Sequence, residues 1–390
     1  MISVELALTH LFDLAPRMGT ECVPLDQANG RILARDVSAQ RDQPPFAASA
    51  MDGYAVQSAD IRAGQPLTVI GESAAGHRYH GVVQSGQAVR IFTGAPVPEG
   101  ADFVVIQEDV TRDGDVIILG DAIGSAANIR AQGADFNASL VVTAPRRLGP
   151  KDLALLAAMN VDVVEVAKKP TVALISTGDE LVYPGQSPNA DQIIASNPFG
   201  LAAMVADIGG TARILPIAAD RMDALMTAFD LAAGADVIVT IGGASVGDHD
   251  LVAKALQHYG ATQSFYKVAM RPGKPLMAGA MGAAAMVGLP GNPVSSMVCG
   301  KIFLEPMLRY MMGFDAGPLP RNMAPLAQDV PQNGPREHYM RASLDNGKIN
   351  LADRQDSALL SVLGTANALV VRPPHAPALR AGDLVEYIAF

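Results

Sequence analysis

The stretch ADVIVTIGGASVGDHDLVAKALQHYG, residues 235–260, decides the fold class. Val237 to Ile241 is an apolar, β-branched run of strand length, as expected for a strand covered on both faces. Gly242, Gly243 and Gly247 open a loop, Asp248 is placed to cap a helix, and DLVAKALQHYG reads as that helix, ending on a glycine. The same alternation continues on both sides. TVALIS (171–176), NPFGLAAMVADIGG (197–210), ARILPIA (212–218) and DRMDALMTAFDLAAG (220–234) precede it as strand, helix, strand and helix. TQSFYKVAM (262–270), PLMAGA (275–280) and AAAMVGLP (283–290) come after it as strands, and NPVSSMVCGKIFLEPMLRYMM (292–312) as a long helix. Apolar strands alternating with amphipathic helices predict a doubly wound α/β domain over 168–315.

The flanks have a different texture. Residues 3–18 space leucines and Met18 at near-helical intervals, and PKDLALLAAMNVDV (150–163) reads as an apolar helix. Between them, residues 44–140 hold short β-runs such as LTVI, AVRIF, DFVVIQEDV and DVIIL, cut by Gly, Pro and Asp, the pattern of a small all-β domain. After a linker at 313–322, residues 323–390 return to short β-runs.

The 390 residues carry 29 Lys and Arg against 39 Asp and Glu, a net charge of −10, which argues against a nucleic-acid coat with a broad basic face. Cys22 and Cys299 stand far apart, outside any CxxC or Cys/His pattern, so neither a disulfide framework nor a zinc ribbon is expected. The N-terminal stretch has no basic region before its apolar residues, and 275–290 is too short and glycine-broken for a membrane span. A cytoplasmic protein is the expectation.

In an open α/β sheet, ligands sit outside the carboxyl ends of the strands. Three loops fall there: STGDEL (176–181), IGGASVGDHD (241–250) and GLPGNPVSS (288–296). The glycine loop turns backbone N–H groups outward in front of a helix N-terminus, an anion site in the making. The segment Lys267-Val-Ala-Met-Arg271-Pro-Gly-Lys274 gathers three cations within eight residues of an acidic chain. Asp179, Glu180, Asp248 and Asp250 lie on the same loops, and carboxylates beside phosphate oxygens suit Mg2+. Neither a Walker A motif nor GxGxxG after a strand is present, which disfavours P-loop and dinucleotide enzymes. Gly243-Ala-Ser245-Val-Gly247 matches the GxSxG nucleophile elbow, but its setting in a longer glycine loop beside cations favours anion binding over acyl transfer.

Seven collinear stretches carry a resemblance: PPFAASAMDGYAV (44–56), RIFTGAPVPEGADFVVIQED (90–109), IRAQGADF (129–136), ISTGDELVYPG (175–185), IGGASVGDHD (241–250), MRPGKP (270–275) and GLPGNPVSS (288–296). Together they closely resemble the molybdopterin molybdenumtransferase family, the MoeA and gephyrin E-domain group, over nearly the whole chain. The resemblance implies a multidomain α/β and β fold: a helical segment from 1–43 and 141–167, an inserted β-domain at 44–140, the α/β molybdopterin-binding domain at 168–315 and a C-terminal β-barrel at 316–390. It implies insertion of molybdenum from molybdate into adenylylated molybdopterin, with Mg2+ and release of AMP. It implies a homodimer with the active site between subunits, and a molybdopterin adenylyltransferase and molybdoenzymes as partners; a non-catalytic clustering role of the gephyrin kind is the alternative.

By the same resemblance, Asp52, Thr93, Asp135, Glu180, Asp250, Lys267 and Lys274 are catalytic. Gly242, Gly243, Ser245, Gly247, Arg271, Pro290, Pro293, Ser295, Arg336 and Ser357 bind substrate, and Asp179, Glu180, Asp248 and Asp250 hold metal. The chain departs from the family at Ala47 and Ala48, where members often carry Asp and a polar residue, at Asp248 and Leu251, where Glu and an aromatic are common, and at Arg271, often Lys or Gln.

Overall fold

The computed structural model describes residues 1–243 and 251–390. Ser245, Gly247, Asp248 and Asp250, expected in the site, lie outside the described residues. The chain divides into two units: Met1–Glu21, Gly30–Ala34 and Glu165–Phe390 form the first, Cys22–Asn29 and Arg35–Val164 the second.

The first unit is built on a six-stranded sheet. In chain order its strands are β1 (Thr171–Ser176), β2 (Thr211–Ile214), β3 (Val237–Ile241), β4 (Thr262–Tyr266), β6 (Met277–Met281) and β7 (Ala284–Leu289), with the short β5 (Met270–Arg271) belonging elsewhere. The order across the sheet is β2-β1-β3-β7-β6-β4. The first four of these run parallel, while β6 is antiparallel to both β7 and β4. Every residue of β3 is buried, and all but the first of β1 and β7, which is why these strands read as unbroken apolar runs. Val172, Leu174, Val239 and Val287 feed one core, and Ala173, Ile175, Ile238 and Met286 the core on the opposite face.

The helices follow from caps and stripes. In α1 (Val4–Leu14) the Ser3 hydroxyl accepts the Leu6 amide, and Val4, Ala7, Leu8 and Leu11 form the buried stripe. An isolated helix this short is marginal in water. Burying each Val or Leu of its stripe contributes about 1.5–3 kcal/mol, so docking into the sheet core decides its stability. Helix α2 (Asn197–Ile208) begins on Pro198 and stops at Gly209, whose φ of 106° only glycine adopts easily. Helices α3 (Met222–Leu231) and α4 (Leu251–His258) cover the other face.

Three expected elements change shape. The strand expected over 262–270 ends at Tyr266, because Lys267 takes a left-handed φ of 68° and turns the chain away. The helix expected over 150–163 stops at Ala158. Asn160 sits at φ 65°, and the β-branched Val163 and Val164 continue as a strand over Val163–Ala167. The helix expected over 292–312 runs as α5 (Pro293–Cys299), a π-helical stretch over Gly300–Leu304, and α6 (Glu305–Met311). The widened turn falls just before Pro306, which has no N–H to continue an α-helical ladder.

The C-terminal part of this unit adds β8 (Asn322–Pro325), β9 (Glu337–Asp345), β10 (Lys348–Leu351), β11 (Ala368–Arg372) and β12 (Leu384–Ala389). They are arranged β5-β9-β11-β12-β8, with β10 on β9. A bridge between Leu326, just after β8, and Ile349 of β10 brings the end strand β8 beside that branch. One face of β9 and β11, with Ala342, Ala368 and Val370, packs into the core of this sheet, while Tyr339, Leu369 and Val371 join the core under α1.

The second unit holds its own six-stranded sheet, in the order Phe103–Ile106, Gly53–Val56, Gln87–Ile91, Pro66–Ser73, Val116–Leu119, Val110–Asp113. Four of these strands fall on the β-runs read from the sequence; the run expected over DFVVIQEDV breaks after Ile106 into a 3-10 turn, and Gly53–Val56 and Val110–Asp113 join the sheet unannounced. Tyr54, Val56, Val105 and Ile117 are buried together on one face, and Ala55, Val89 and Val104 on the other. No described helix is long and apolar enough to cross a membrane.

Candidate active site

Register brings the carboxyl ends of three central strands level. Ser176 pairs with Ile241, and Ile241 with Leu289, so the loops after them leave the sheet side by side. Strand β4 points the same way as β7, so the turn after it opens at the same edge. Together these loops line one cavity of about 1230 Å³, within the first unit.

Thr177 donates its amide to the Ile241 carbonyl at 3.1 Å, and the Gly242 amide reaches the Leu289 carbonyl at 3.1 Å, knitting the three loops together. Gly242 and Gly243 sit at φ 90° and 64°. A Cβ on Gly242 would come within 2.9 Å of the Thr177 carbonyl oxygen, so the site needs glycine here for both conformation and space. The Thr177 hydroxyl is buried and has no partner among the described residues. An unpaired buried hydroxyl beside a cavity is a group available to a ligand. Pro290 and Pro293 line the same wall. Between them the Gly291 carbonyl accepts the Asn197 amide side chain at 2.7 Å, and Asn292 donates to the Ser357 hydroxyl at 3.2 Å. Ser295 is buried in the first turn of α5.

Lys267 and Lys274 both line the cavity. Their turn is closed by the Lys267 amide on the Leu276 carbonyl at 2.9 Å and the Val268 amide on the Lys274 carbonyl at 3.0 Å. The Lys267 ammonium lies 4.8 Å from the centre of the Tyr266 ring, a cation–π distance that steadies it. Gly273, at φ 105°, allows the turn to press onto Cys299, whose buried thiol would stand 2.3 Å from any Cβ placed there. Arg271 is not among the described residues lining the cavity; it pairs with His338 on β9. Arg336 donates to the Met270 carbonyl at 3.4 Å.

The carboxylates supply a residue that no motif announced. Asp220, after β2, lines the cavity with Glu180, and its amide donates to the Asp179 carboxylate at 3.0 Å. Partial burial, then the charges of Asp179 and Glu180, push the Asp220 carboxyl above the usual carboxylate range. Such crowding of negative charge suits a divalent cation. Among the described residues no three His, Cys, Asp or Glu side chains form a ready ligand set. A cation here would complete its shell from substrate oxygens and water, as Mg2+ usually does.

In the second unit, Asp52 and Thr93 come together. One Asp52 carboxylate oxygen accepts the Thr93 amide at 2.7 Å and its hydroxyl at 2.8 Å. Those two bonds, with a smaller contribution from the charge of Arg90, hold Asp52 below the usual carboxylate range. The close approach of Gly53 to the Val105 carbonyl, 2.0 Å from where a Cβ would lie, explains the glycine next to Asp52. Asp135 is exposed, with its amide on the Gln43 carbonyl at 2.9 Å.

Comparisons with known proteins cover nearly the whole chain. Residues 2–160 match the MoeA N-terminal region (domain I and II), 173–310 the probable molybdopterin binding domain, and 323–390 the MoeA C-terminal region (domain IV). The molybdopterin molybdenumtransferase of a Nostoc species is 37% identical over 359 residues, covering 88% of this chain and 82% of that protein. The Haemophilus influenzae molybdopterin molybdenumtransferase is 34% identical, covering 80% and 78%. The crystal structure of the molybdopterin biosynthesis MoeA protein of Pyrococcus horikoshii superposes with a TM-score of 0.83 at 28% identity, over the full length of both chains. On this agreement of sequence and architecture, the chain belongs to the molybdopterin molybdenumtransferase (MoeA) family.

Proposed function

We propose that this chain inserts molybdenum from molybdate into adenylylated molybdopterin, releasing AMP and molybdenum cofactor. The observation that carries this reading is the cavity in which the Gly242–Gly243 turn, two lysines and a carboxylate pair meet at one sheet edge. Both substrates are anions, and such a cavity receives them through fixed dipoles and charges that need no reorganisation during reaction.

The Gly242–Gly243 backbone and the Thr177 hydroxyl orient the phosphate end of the pterin. Lys267 and Lys274 hold negative charge on the anhydride and on molybdate through charge-assisted hydrogen bonds. Glu180 and Asp220 would hold Mg2+, which would supply Lewis-acid stabilisation of the anhydride oxygens. Asp248 and Asp250 are candidates for the same ion, and Ser245 and Gly247 for the same phosphate. Asp179 orients Asp220 through the backbone. Pro290, Pro293 and Ser295 shape the wall opposite. Arg271, Arg336 and Ser357 approach from the C-terminal part.

Asp52, Thr93 and Asp135 act from the second subunit of a homodimer. A molybdopterin adenylyltransferase supplies the substrate, molybdoenzymes take the product, and the reaction runs in the cytoplasm.

Reconstitution tests this. Purified protein with adenylylated molybdopterin, molybdate and Mg2+ should release AMP in a molybdate-dependent way. Lys274→Ala should slow that release by roughly tenfold to a hundredfold, the worth of one charge-assisted contact of about 1.5–3 kcal/mol. AMP release indifferent to molybdate would refute the reading.

A further inference from the structure

A second cavity, of about 230 Å³, lies between α4 and strands β4, β6 and β7, where β4 is the edge of the six-stranded sheet. It shares no described lining residue with the cavity at the carboxyl ends of the strands. Its floor follows from the register of two antiparallel strands. Met277 pairs with Gly288, and Gly279 with Met286. Paired residues, and residues two apart along a strand, share a face, so methionine and glycine alternate corner by corner on the side that α4 covers. Both glycines are required by space: a Cβ on Gly288 would collide with the Met277 side chain, and one on Gly279 with the Thr262 carbonyl.

The lining divides by chemistry. Met277, Met286 and Leu256 are buried, while Gln257, Thr262 and Gln263 stand exposed at the mouth. The pairing of β4 with β6 shifts between Gln263 and Phe265, a bulge of the kind found beside binding sites at sheet edges. Inward along the same row, Thr240 pairs with Gly288. It is 1% exposed, and its hydroxyl has no partner among the described residues. That hydroxyl lies 3.3 Å from where a Cβ on Gly288 would stand, so it borders the same bare backbone as Met277. A buried hydroxyl left unpaired is costly, and a ligand group that reached it would remove the cost.

We propose that this cavity binds a flat nitrogen heterocycle of one or two fused rings. The thioethers of Met277 and Met286 are polarisable and make favourable contacts with aromatic rings. The carboxamides of Gln257 and Gln263 each set a donor beside an acceptor, which matches the edge of a nitrogen heterocycle. Met277 is unbranched and flexible, so it can swing off Gly288 and let a ring nitrogen reach the Thr240 hydroxyl. A purely aliphatic ligand would leave that hydroxyl and the carboxamides unmet, and water would leave the thioethers without a partner. Size sets the upper limit. An apolar cavity of about 150 Å³ takes one benzene ring. The 230 Å³ here leaves room for a second fused ring but not for the sugar and phosphates of a nucleotide. Purines and pterins share this chemistry. The site stands whether or not the molybdenum reading of the main cavity holds.

The test follows the methionine methyl signals of the full chain labelled with 13C-methyl-methionine, those of Met277 and Met286 assigned by their loss in Met277→Leu and Met286→Leu. Adenine and pterin are titrated separately, with cyclohexanol as a ring that has a polar group but no aromatic face. At least one heterocycle should shift both signals saturably, and the order of the two identifies the source of the ring. Ala261→Leu, which fills the cavity from a half-buried position, should weaken that binding by about tenfold or more. The response should persist in Lys274→Ala, which removes a cation of the main cavity. Should Ala261→Leu fail to fold, the wild-type and Lys274→Ala titrations still decide. Silence toward both heterocycles, an equal response to cyclohexanol, undiminished binding in Ala261→Leu, or loss of the response in Lys274→Ala would each overturn the site.

Discussion

Asp220 shows how one side chain couples site chemistry to stability. Its carboxyl is pushed upward by partial burial and by Asp179 and Glu180. Below the ordinary carboxylate range, folded and unfolded chains both hold the proton and folding is unaffected. Above the raised value, the folded chain carries a charge its surroundings resist. Stability is thus drawn down as pH climbs out of the carboxylate range. Asp220→Asn should therefore raise Tm at about pH 7 and gain distinctly less near pH 4, read from paired thermal melts. The same variant should slow AMP release. Equal stabilisation at both pH values would show that charge crowding is not the cause. Asp220 is also invisible in the sequence for a physical reason. It sits on a connection without glycine pattern or repeat, and its partner Asp179 is 41 positions away in the chain.

At the scale of elements, the turn after β4 separates two ways a lysine can matter. Lys267 adopts φ 68°, a conformation that costs a non-glycine residue about 1 kcal/mol. Lys267→Gly relieves that cost and Lys267→Ala does not. The glycine variant should then be more stable than the alanine variant by about 1 kcal/mol in urea unfolding. Both should lose AMP release if the ammonium is what counts, whereas a turn-shaping role alone would leave Lys267→Gly near wild type.

This turn also marks where pattern reading stops. TQSFYKVAM has no Gly or Pro to announce a break, so it reads as one strand, and only tertiary pairing of Met270 and Arg271 with β9 redirects it. Asn160 ends the 150–158 helix in the same unannounced way. The buried parallel strands β1, β3 and β7 are legible because being covered on both faces leaves no room for polar alternation. The three loops of the cavity are legible because each comes directly after such a strand. The unpaired Thr177 hydroxyl and the Asn197 and Asn292 contacts are not, since nothing local distinguishes them from ordinary turn residues.

For the whole molecule, the first 21 residues belong with the α/β sheet rather than with residues 141–164, because α1 packs on β4, β6 and α6 and its stripe is buried in the same core as Val172 and Leu174. That docking joins residues far apart in sequence and is not readable from spacing alone. The proposed homodimer makes a prediction at this scale. Asp52→Ala and Lys274→Ala should each release AMP at about a tenth of the wild-type rate or less when alone. If the site takes Asp52 from one subunit and Lys274 from the other, unfolding and refolding an equal mixture should restore about a quarter of wild-type AMP release. Half of the dimers are then mixed, and each mixed dimer has one intact site of two. No recovery above the separate variants would place both residues in the same subunit's site.

Cys299 lies sealed beneath Gly273, and burial drives its thiol far above the range where a thiolate forms. The other cysteine, Cys22, is exposed. Under native conditions the unaltered chain therefore offers maleimide reagents a single handle. A dye or spin label can be attached at that one point with no cysteine removed, and distances between two labelled copies can be measured on protein that still carries every natural residue.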